Sequence, residues 1–446
     1  MKTKTILKGL IVSALAVCIT ASVAACSKTQ ATTTANGTTA TANEAPASQG
    51  KEVTNITFWY SWTDAIQENN IALTEEFNKT VGKDLGINVS AEYQGTYEDL
   101  HQKLQAAYVA GETPAVTVME IASVKTFSNN GVLEPLDKFI ERDNVDMDDF
   151  QPGLMTNSFY NGSTYGLPYL RSTPILYLNT TILKEAGLDP AGPKTWDELE
   201  KYIMTIKDKT GINGLTTYSY IWTLEAFMME HGSSVLNEDE TATNLNSLAG
   251  KEIISYFKNL SDQGYINLIA SSQSDKLKAD IMNQNCAMWF SSTGDLTSNI
   301  KIAEDNGFEL GTAFIPKDTQ YGVTSGGCNL IMTSKLTDEE KEAAWQFIKW
   351  MTEKEQTIKA SQNTGYLPSR ISAKDSEEML TLYKEVPQFK VALDQLQYAI
   401  GRPSNQGYAE SSTRITEALD AIYVNDQNMD EVLTQLESTV NKLLNE

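Results

Sequence analysis

An α/β fold in two lobes is what this sequence predicts. Segments with strand-like and helix-like spacing alternate from Val53 onward, as in layered sheets and helices. At 446 residues the chain exceeds the roughly 250–300 at which a single core stops growing, so two domains or one bilobed body are expected. Hydrophobic residues at 41% and charged residues at 21% match an ordinary globular protein.

Residues 56–60 form the first strand, and Ile71, Leu73 and Phe77 mark the helix after it. Residues 87–93 form the second, followed by a helix that opens at Thr96, with Asp99 placed for a capping box and Leu100, Leu104 and Ala107 on one face. A third strand at 115–119 ends at Glu120, and open α/β sheets bind ligands beyond the carboxyl ends of their strands. Thr195 with Glu198 and Thr337 with Glu340 predict two further boxed helices. Their buried stripes are Leu199, Tyr202, Ile203 and Ile206, and Ala344, Phe347, Ile348 and Met351. Near the end, Ile415, Leu419 and Ile422, then Val432, Leu436, Val440 and Leu443, recur at helical spacing.

With 58 acidic against 35 basic residues the formal charge is -23, which excludes nucleic acid as a partner, since phosphate backbones are held by clustered cations. His101 and His231 are the only histidines, so multi-histidine metal centres are excluded; no metal and no cofactor is expected.

At the N-terminus Lys2, Lys4 and Lys8 precede an apolar stretch at 10–19 and a run of small residues, so residues 1–25 read as a signal peptide. Val23-Ala24-Ala25-Cys26 resembles the bacterial lipobox, which implies lipidation at Cys26 and a protein anchored on the extracytoplasmic face of the cell membrane. The stretch 26–52 is dominated by Thr, Ala, Ser, Asn, Gln and Gly and reads as a disordered linker reaching roughly 25–30 Å. Processing would leave 32 basic against 58 acidic residues, or -26. Cys286 and Cys328 stay in the body, either joined or separately buried. No later hydrophobic run approaches the roughly 20 residues that span a bilayer.

Several segments, in order, resemble the extracytoplasmic solute-binding proteins of ABC importers, most closely the glycerol-3-phosphate-binding branch. They are Phe58-Trp59-Tyr60-Ser61, Tyr93-Gln94-Gly95-Thr96-Tyr97-Glu98, Ser172-Thr173-Pro174-Ile175-Leu176-Tyr177-Leu178-Asn179, Glu185-Ala186-Gly187-Leu188-Asp189-Pro190 and Lys194-Thr195-Trp196. Cys286-Ala287-Met288, Ser292-Thr293-Gly294, Gly326-Gly327 and Thr364-Gly365-Tyr366-Leu367-Pro368 complete the series. The resemblance implies a periplasmic-binding-protein-like fold of the maltose-binding-protein type, with a ligand cleft between two lobes. Crossings near Arg171, Ala287 and Gly327 would assign 53–171 plus 288–326 to the first lobe and 172–287 plus 327–446 to the second.

By the same resemblance the ligand contacts fall on Tyr97, Glu120, Ser172, Ser292, Gly327, Tyr366 and Arg402. Glu120 suits the hydroxyls of a polyol, the serines and tyrosines offer hydroxyl donors, and Gly327 lets a backbone N–H approach an anion. Arg402 would grip a phosphate with its fork of N–H groups. Its setting, Gly401-Arg402-Pro403, is similar to the wider sugar-binding family instead. Two departures from the branch add candidates: Arg171 would favour a phosphate, Asp295 would oppose it. Trp59 and Trp222 are candidate platforms for sugar rings.

The implied function is a monomeric, lipid-anchored protein that closes on glycerol-3-phosphate or a glycerophosphodiester and delivers it to ABC permease subunits, with no enzymatic activity. An uncharged sugar or oligosaccharide is the alternative ligand. A secreted glycoside hydrolase using Glu120 and Asp295 as paired carboxylates is the reading from another class.

Overall fold

The computed structural model describes residues 53–446; the expected signal peptide, Cys26 and the linker 26–52 lie outside the described residues. Ten strands carry the architecture. In chain order they are β1 (Thr54–Tyr60), β2 (Ile87–Tyr93), β3 (Val116–Glu120), β4 (Gly166–Ser172), β5 (Pro174–Asn179), β6 (Asn213–Tyr218), β7 (Ile266–Ile269), β8 (Cys286–Ser292), β9 (Leu310–Ala313) and β10 (Gly326–Met332). They form two five-stranded sheets, in the orders β2-β1-β3-β10-β4 and β9-β5-β8-β6-β7. Each sheet is mixed. In the first, β1 runs parallel to β2 and β3, whereas β10 runs antiparallel to both β3 and β4. In the second, β8 runs parallel to β6 and antiparallel to β5.

Helices cover both faces of each sheet, so central strands lose the polar alternation of a half-exposed sheet. Every residue of the central β5 is buried, and so is every residue of β4 although it ends its sheet. One face of the first sheet packs Phe58, Leu73, Phe77, Val118, Leu330, Phe347 and Ile348 together, while Leu104, Met119, Phe127 and Ile331 fill the other. The second sheet buries Leu176, Ile203, Ile253, Met288, Phe290 and Leu419 on one face and Tyr177, Trp289, Leu296 and Phe389 on the other.

Strand partners correct the expected division of the chain. The polypeptide does change sheets at Thr173, between β4 and β5. It does not change again near Ala287, because residues 288–292 of β8 pair with β5 throughout, and β9 joins the same sheet. Residues 288–313 therefore belong with the second sheet. The return comes at Ser325–Gly326, after which β10 and the helix Asp338–Met351 pack into the first lobe. The last two helices, Tyr408–Tyr423 and Met429–Leu444, pack in the core of the second lobe. Cys286 and Cys328 consequently sit in different sheets, each buried and free.

The capping boxes at Thr96/Asp99 and Thr337/Glu340 form. At Thr195 only half does: its side chain accepts from the Glu198 amide, while the Glu198 carboxylate accepts from the Lys194 amide at 2.7 Å. Ile71 is exposed, and the last helix buries Leu433 and Leu444 with Leu436 and Val440, a stripe shifted by one residue from the expected Val432 and Leu443. Among the described residues no helix is long and apolar enough to cross a membrane.

Candidate functional site

Where the two sheets meet, the chain ends several strands at one place. Ser172 ends β4 opposite Gly326, Cys328 on β10 lies opposite Glu120 at the end of β3, and Ser292 ends β8. Gly327 has φ +83°, a left-handed conformation that costs glycine little. A Cβ there would lie 1.9 Å from the Leu170 carbonyl oxygen, so the turn of β10 against β4 admits no side chain.

Tyr97 opens the helix Tyr97–Ala110, fixed by its Thr96 cap, and is buried. Tyr366 is also buried, and its phenol neighbours Tyr97, Cys328, Asp295 and Tyr220; burial is the main reason both phenols are held well above their ordinary pKa. The Tyr366 ring rests on Gly294, where a Cβ would lie 2.5 Å from Cζ. The next residue, Leu367, donates its amide to the Arg171 carbonyl at 2.7 Å. Ser292 Oγ accepts from the Gly294 amide at 3.0 Å, which ties the end of β8 to the same spot.

Arg402 is buried between two carboxylates. Its Nε donates to Glu225 Oε1 and Oε2 at 3.1 and 2.9 Å, Nη2 donates to Glu225 Oε1 at 2.8 Å, and Nη1 donates to Glu120 Oε1. Glu225 also accepts from the Tyr408 hydroxyl. Burial pushes the Glu225 carboxyl up, opposed by Arg402; burial would lower Arg402, but the two carboxylates hold it well above its ordinary value. Because Glu120 ends a first-sheet strand and Glu225 lies in the second lobe's helix Ile221–Glu230, the guanidinium bridges the lobes. A second bridge joins Lys278 on the helix Ser274–Met282 to Asp64 at 2.8 Å. Asp64 and nearby Trp62 both adopt positive φ, at +54° and +74°, an uncommon conformation for residues with side chains. Trp62 meets the Tyr97 ring edge-on at 5.3 Å.

The expected residues Tyr97, Glu120, Ser172, Ser292, Gly327, Tyr366, Arg402 and Asp295 thus gather around one interlobe junction. Three others have different work. The Arg171 guanidinium is fully buried and donates to the carbonyls of Gly326 (2.9 Å) and Leu154, to Asn329 Oδ1 (3.2 Å) and to Ser325 Oγ (3.3 Å). It ties β4 to the crossing segment, and burial lowers it to about 10. Trp59 donates to Glu92 at 3.0 Å along the β1–β2 ladder and packs on the first lobe's core. Trp222 donates to the Ser325 carbonyl at 3.2 Å with its ring against Gly326, propping the crossing strand.

Sequence reading missed Glu225 and Tyr220. Glu225 did leave a signal, since a lone carboxylate inside the apolar run Ile221-Trp222-Thr223-Leu224-Glu225-Ala226-Phe227 requires a buried cation. Tyr220 stacks with Tyr218 at 5.5 Å, and its phenol feels Glu98, Arg402 and Glu120. Asp295 accepts from Ser291 Oγ, and burial raises its carboxyl.

Chemically, the junction offers tyrosine and serine hydroxyls, carboxylate acceptors and backbone amides. Its cations Arg171, Arg402 and Lys278 are all engaged by protein acceptors. Glu120 is held in an ion pair with Arg402 and Asp295 in a hydrogen bond to Ser291.

A family model described as bacterial extracellular solute-binding protein matches residues 72–390. The sn-glycerol-3-phosphate-binding periplasmic protein UgpB of Yersinia pestis bv. Antiqua (strain Antiqua) is 25% identical over 399 residues, covering 83% of this chain and 88% of that protein. Among solved structures, UgpB from Mycobacterium tuberculosis in complex with glycerophosphocholine superposes with TM-score 0.78 at 24% identity, covering 88% of this chain and 98% of that one. The GacH receptor of Streptomyces glaucescens, solved unliganded and with acarbose, gives TM-score 0.79 at 21% identity, covering 89% and 100%.

Proposed function

The chain belongs to the family of bacterial extracellular solute-binding proteins, and from that membership we propose that it captures glycerol-3-phosphate or a glycerophosphodiester for an ABC importer. It would do so as a monomer tethered through Cys26 outside the cell membrane, closing its lobes on the ligand before handing it to the permease subunits. The family binds solutes and is not one of enzymes.

The observation that carries the ligand assignment is the convergence of Tyr97, Ser172, Ser292, Gly327 and Tyr366 beside Glu120. A phosphate surrounded by hydroxyl and amide donors needs no free cation, since oriented dipoles make an anion site. Glu120, held by Arg402, retains lone pairs for glycerol hydroxyls. Curated relatives named for glycerol-3-phosphate binding add support.

One observation favours a second reading, an uncharged sugar. Asp64, Glu98, Glu120, Glu225 and Asp295 surround the junction, and the three cations among them are already paired. Calorimetric titration with glycerol-3-phosphate, glycerophosphocholine and maltose separates the two. The phosphate reading expects the first two to bind and Tyr366→Phe to weaken them roughly tenfold, the loss of one hydrogen bond to a charged group. Heat from maltose alone would overturn it in favour of the sugar.

A further inference from the structure

A fully buried arginine is almost always paired with a carboxylate, and Arg171 is not. The sequence holds five arginines. Arg142 pairs with Glu342, Arg370 with Asp149, Arg402 with Glu120 and Glu225, and Arg414 with Glu410 and Glu417. Arg171 is the most deeply buried of them, at 0% exposure, yet its four acceptors are all uncharged: two backbone carbonyls, an amide oxygen and a hydroxyl. Among the described residues no carboxylate forms an ion pair with it. Hydrogen bonds to neutral groups occupy its N–H donors and leave its positive charge in place. The carboxylate that acts on it is Glu120, which Arg402 already holds. Burial lowers the guanidinium only to about 10, so it stays charged at neutral pH.

That charge is built into the strand ends that carry the candidate ligand contacts. Ser172 is the next residue, and Gly327 is its partner across the β4–β10 ladder. Its carbonyl accepts from Leu367, the residue after Tyr366, and its guanidinium lies within electrostatic reach of Tyr97 and Cys328. Nε donates to the Gly326 carbonyl at 2.9 Å, the other end of the peptide unit whose nitrogen is the Gly327 amide. Peptide resonance carries the pull of a cation on the oxygen through to the N–H, which makes that amide a stronger donor to an anion. The balance of charge points the same way. Arg171 and Arg402 together match Glu120 and Glu225, where Arg402 alone would leave the two carboxylates in excess.

We propose that Arg171 is a specificity-determining residue that makes the cleft select an anionic ligand without touching it, by holding an unneutralised positive charge behind the crossing strand and polarising the Gly326–Gly327 peptide. This role rests on the phosphate reading of the cleft, and it supplies what would favour phosphate over an uncharged sugar.

Phosphorus NMR of glycerol-3-phosphate bound to full-length protein, followed across the second ionisation of a phosphate monoester at about pH 6, tests this. Wild type should hold the bound phosphate at least about one unit below its free value, as a nearby opposite charge does, and so bind the dianion about tenfold more tightly than the monoanion. Of the groups facing Arg171, burial holds the Tyr97 phenol and the Cys328 thiol above neutrality, the thiol at about 11, and Glu120 is paired with Arg402. Asn329→Asp puts a carboxylate where Nη1 now meets Asn329 Oδ1 at 3.2 Å, which cancels the charge with Arg171 still in place. It should return the bound phosphate to about 6 and weaken glycerol-3-phosphate about tenfold. Asn329→Ala, which loses the same Nδ2 donations to Asn157 and Ser158 without adding charge, should leave the value lowered. Arg171→Lys should also keep it lowered and Arg171→Gln should not, a pair that makes the same comparison if Asn329→Asp is insoluble. If the wild-type value is not lowered, or if Asn329→Asp or Arg171→Gln weakens binding with the value still lowered, Arg171 is structural only and its selecting role is overturned while the phosphate reading stands. If maltose binds and neither glycerol-3-phosphate nor glycerophosphocholine does, the phosphate reading falls and the role of Arg171 falls with it.

Discussion

Replacing Arg402 by methionine removes a guanidinium of similar volume and strands two carboxylates. Side-chain exposures of 5% for Arg402, 3% for Glu225 and 12% for Glu120 mean that water cannot take over its role. Removing one partner of a buried ion pair typically costs about 3–5 kcal/mol. At an unfolding entropy of about 2.1 cal/mol/K per residue, a body of this length should melt about 4–6 °C lower. The cost should also depend on pH. Without Arg402, burial holds the Glu225 carboxyl above its unfolded value of about 4.3, so the folded state binds more protons than the unfolded one. Stability is then retained below about pH 4.3 and lost as pH rises through the folded pKa, and the penalty should grow from pH 4 toward neutrality. Circular-dichroism melts of ligand-free protein at several pH values measure both quantities. The double variant Arg402→Met/Glu225→Leu should recover only part of the loss, since Glu120 stays unpaired and the abandoned Tyr408 hydroxyl costs about 1–3 kcal/mol. A shift below about 1 °C at neutral pH, or a penalty indifferent to pH, would refute the bridge as the holder of both carboxylates.

Gly327→Ala should cost at least about 4 kcal/mol or abolish soluble protein, because the added Cβ meets backbone at 1.9 Å in a left-handed conformation; a urea midpoint near wild type would contradict this. His101 should weaken the fold in acid. Its Nε2 is shut away without a partner, and burial lowers the imidazole from 6.5 to about 4. A depressed histidine is more easily protonated unfolded, so its contribution, about 3 kcal/mol, is complete above pH 6.5 and lost between 6.5 and 4. An NMR titration placing His101 near 6.5 would remove the effect.

The parts of this fold legible in the sequence are those decided by near neighbours. Thr96 with Asp99 and Thr337 with Glu340 stand only three positions apart, which is all their caps need, and they form. Strand partnership is decided elsewhere: nothing local in Cys286–Ser292 says that β5 rather than a first-sheet strand will lie beside it. The lobe division failed for that reason. At the site, residue type located the junction but not the direction of each side chain. Arg171 and Arg402 read alike as cations near a cleft, yet one is spent on carbonyls of the crossing segment and the other on two carboxylates. Trp59 and Trp222, read as sugar platforms, serve as packing for the same reason: an indole shows its hydrogen-bond partner only in three dimensions.

The late return of β10 has a consequence for how the chain can assemble. The second sheet is drawn from one uninterrupted stretch, residues 174–313, and its strands find their partners as they are made. The first sheet has no such sequence. Between β3 and β4 stands a strand that the ribosome supplies only after the whole second sheet. Until residue 332 exists, β3 and β4 each keep an open edge, the kind of edge that invites wrong pairing. The order of birth is therefore the reverse of the order of completion, and a chain cut short before Gly326 would carry a finished second sheet beside a first one split down the middle.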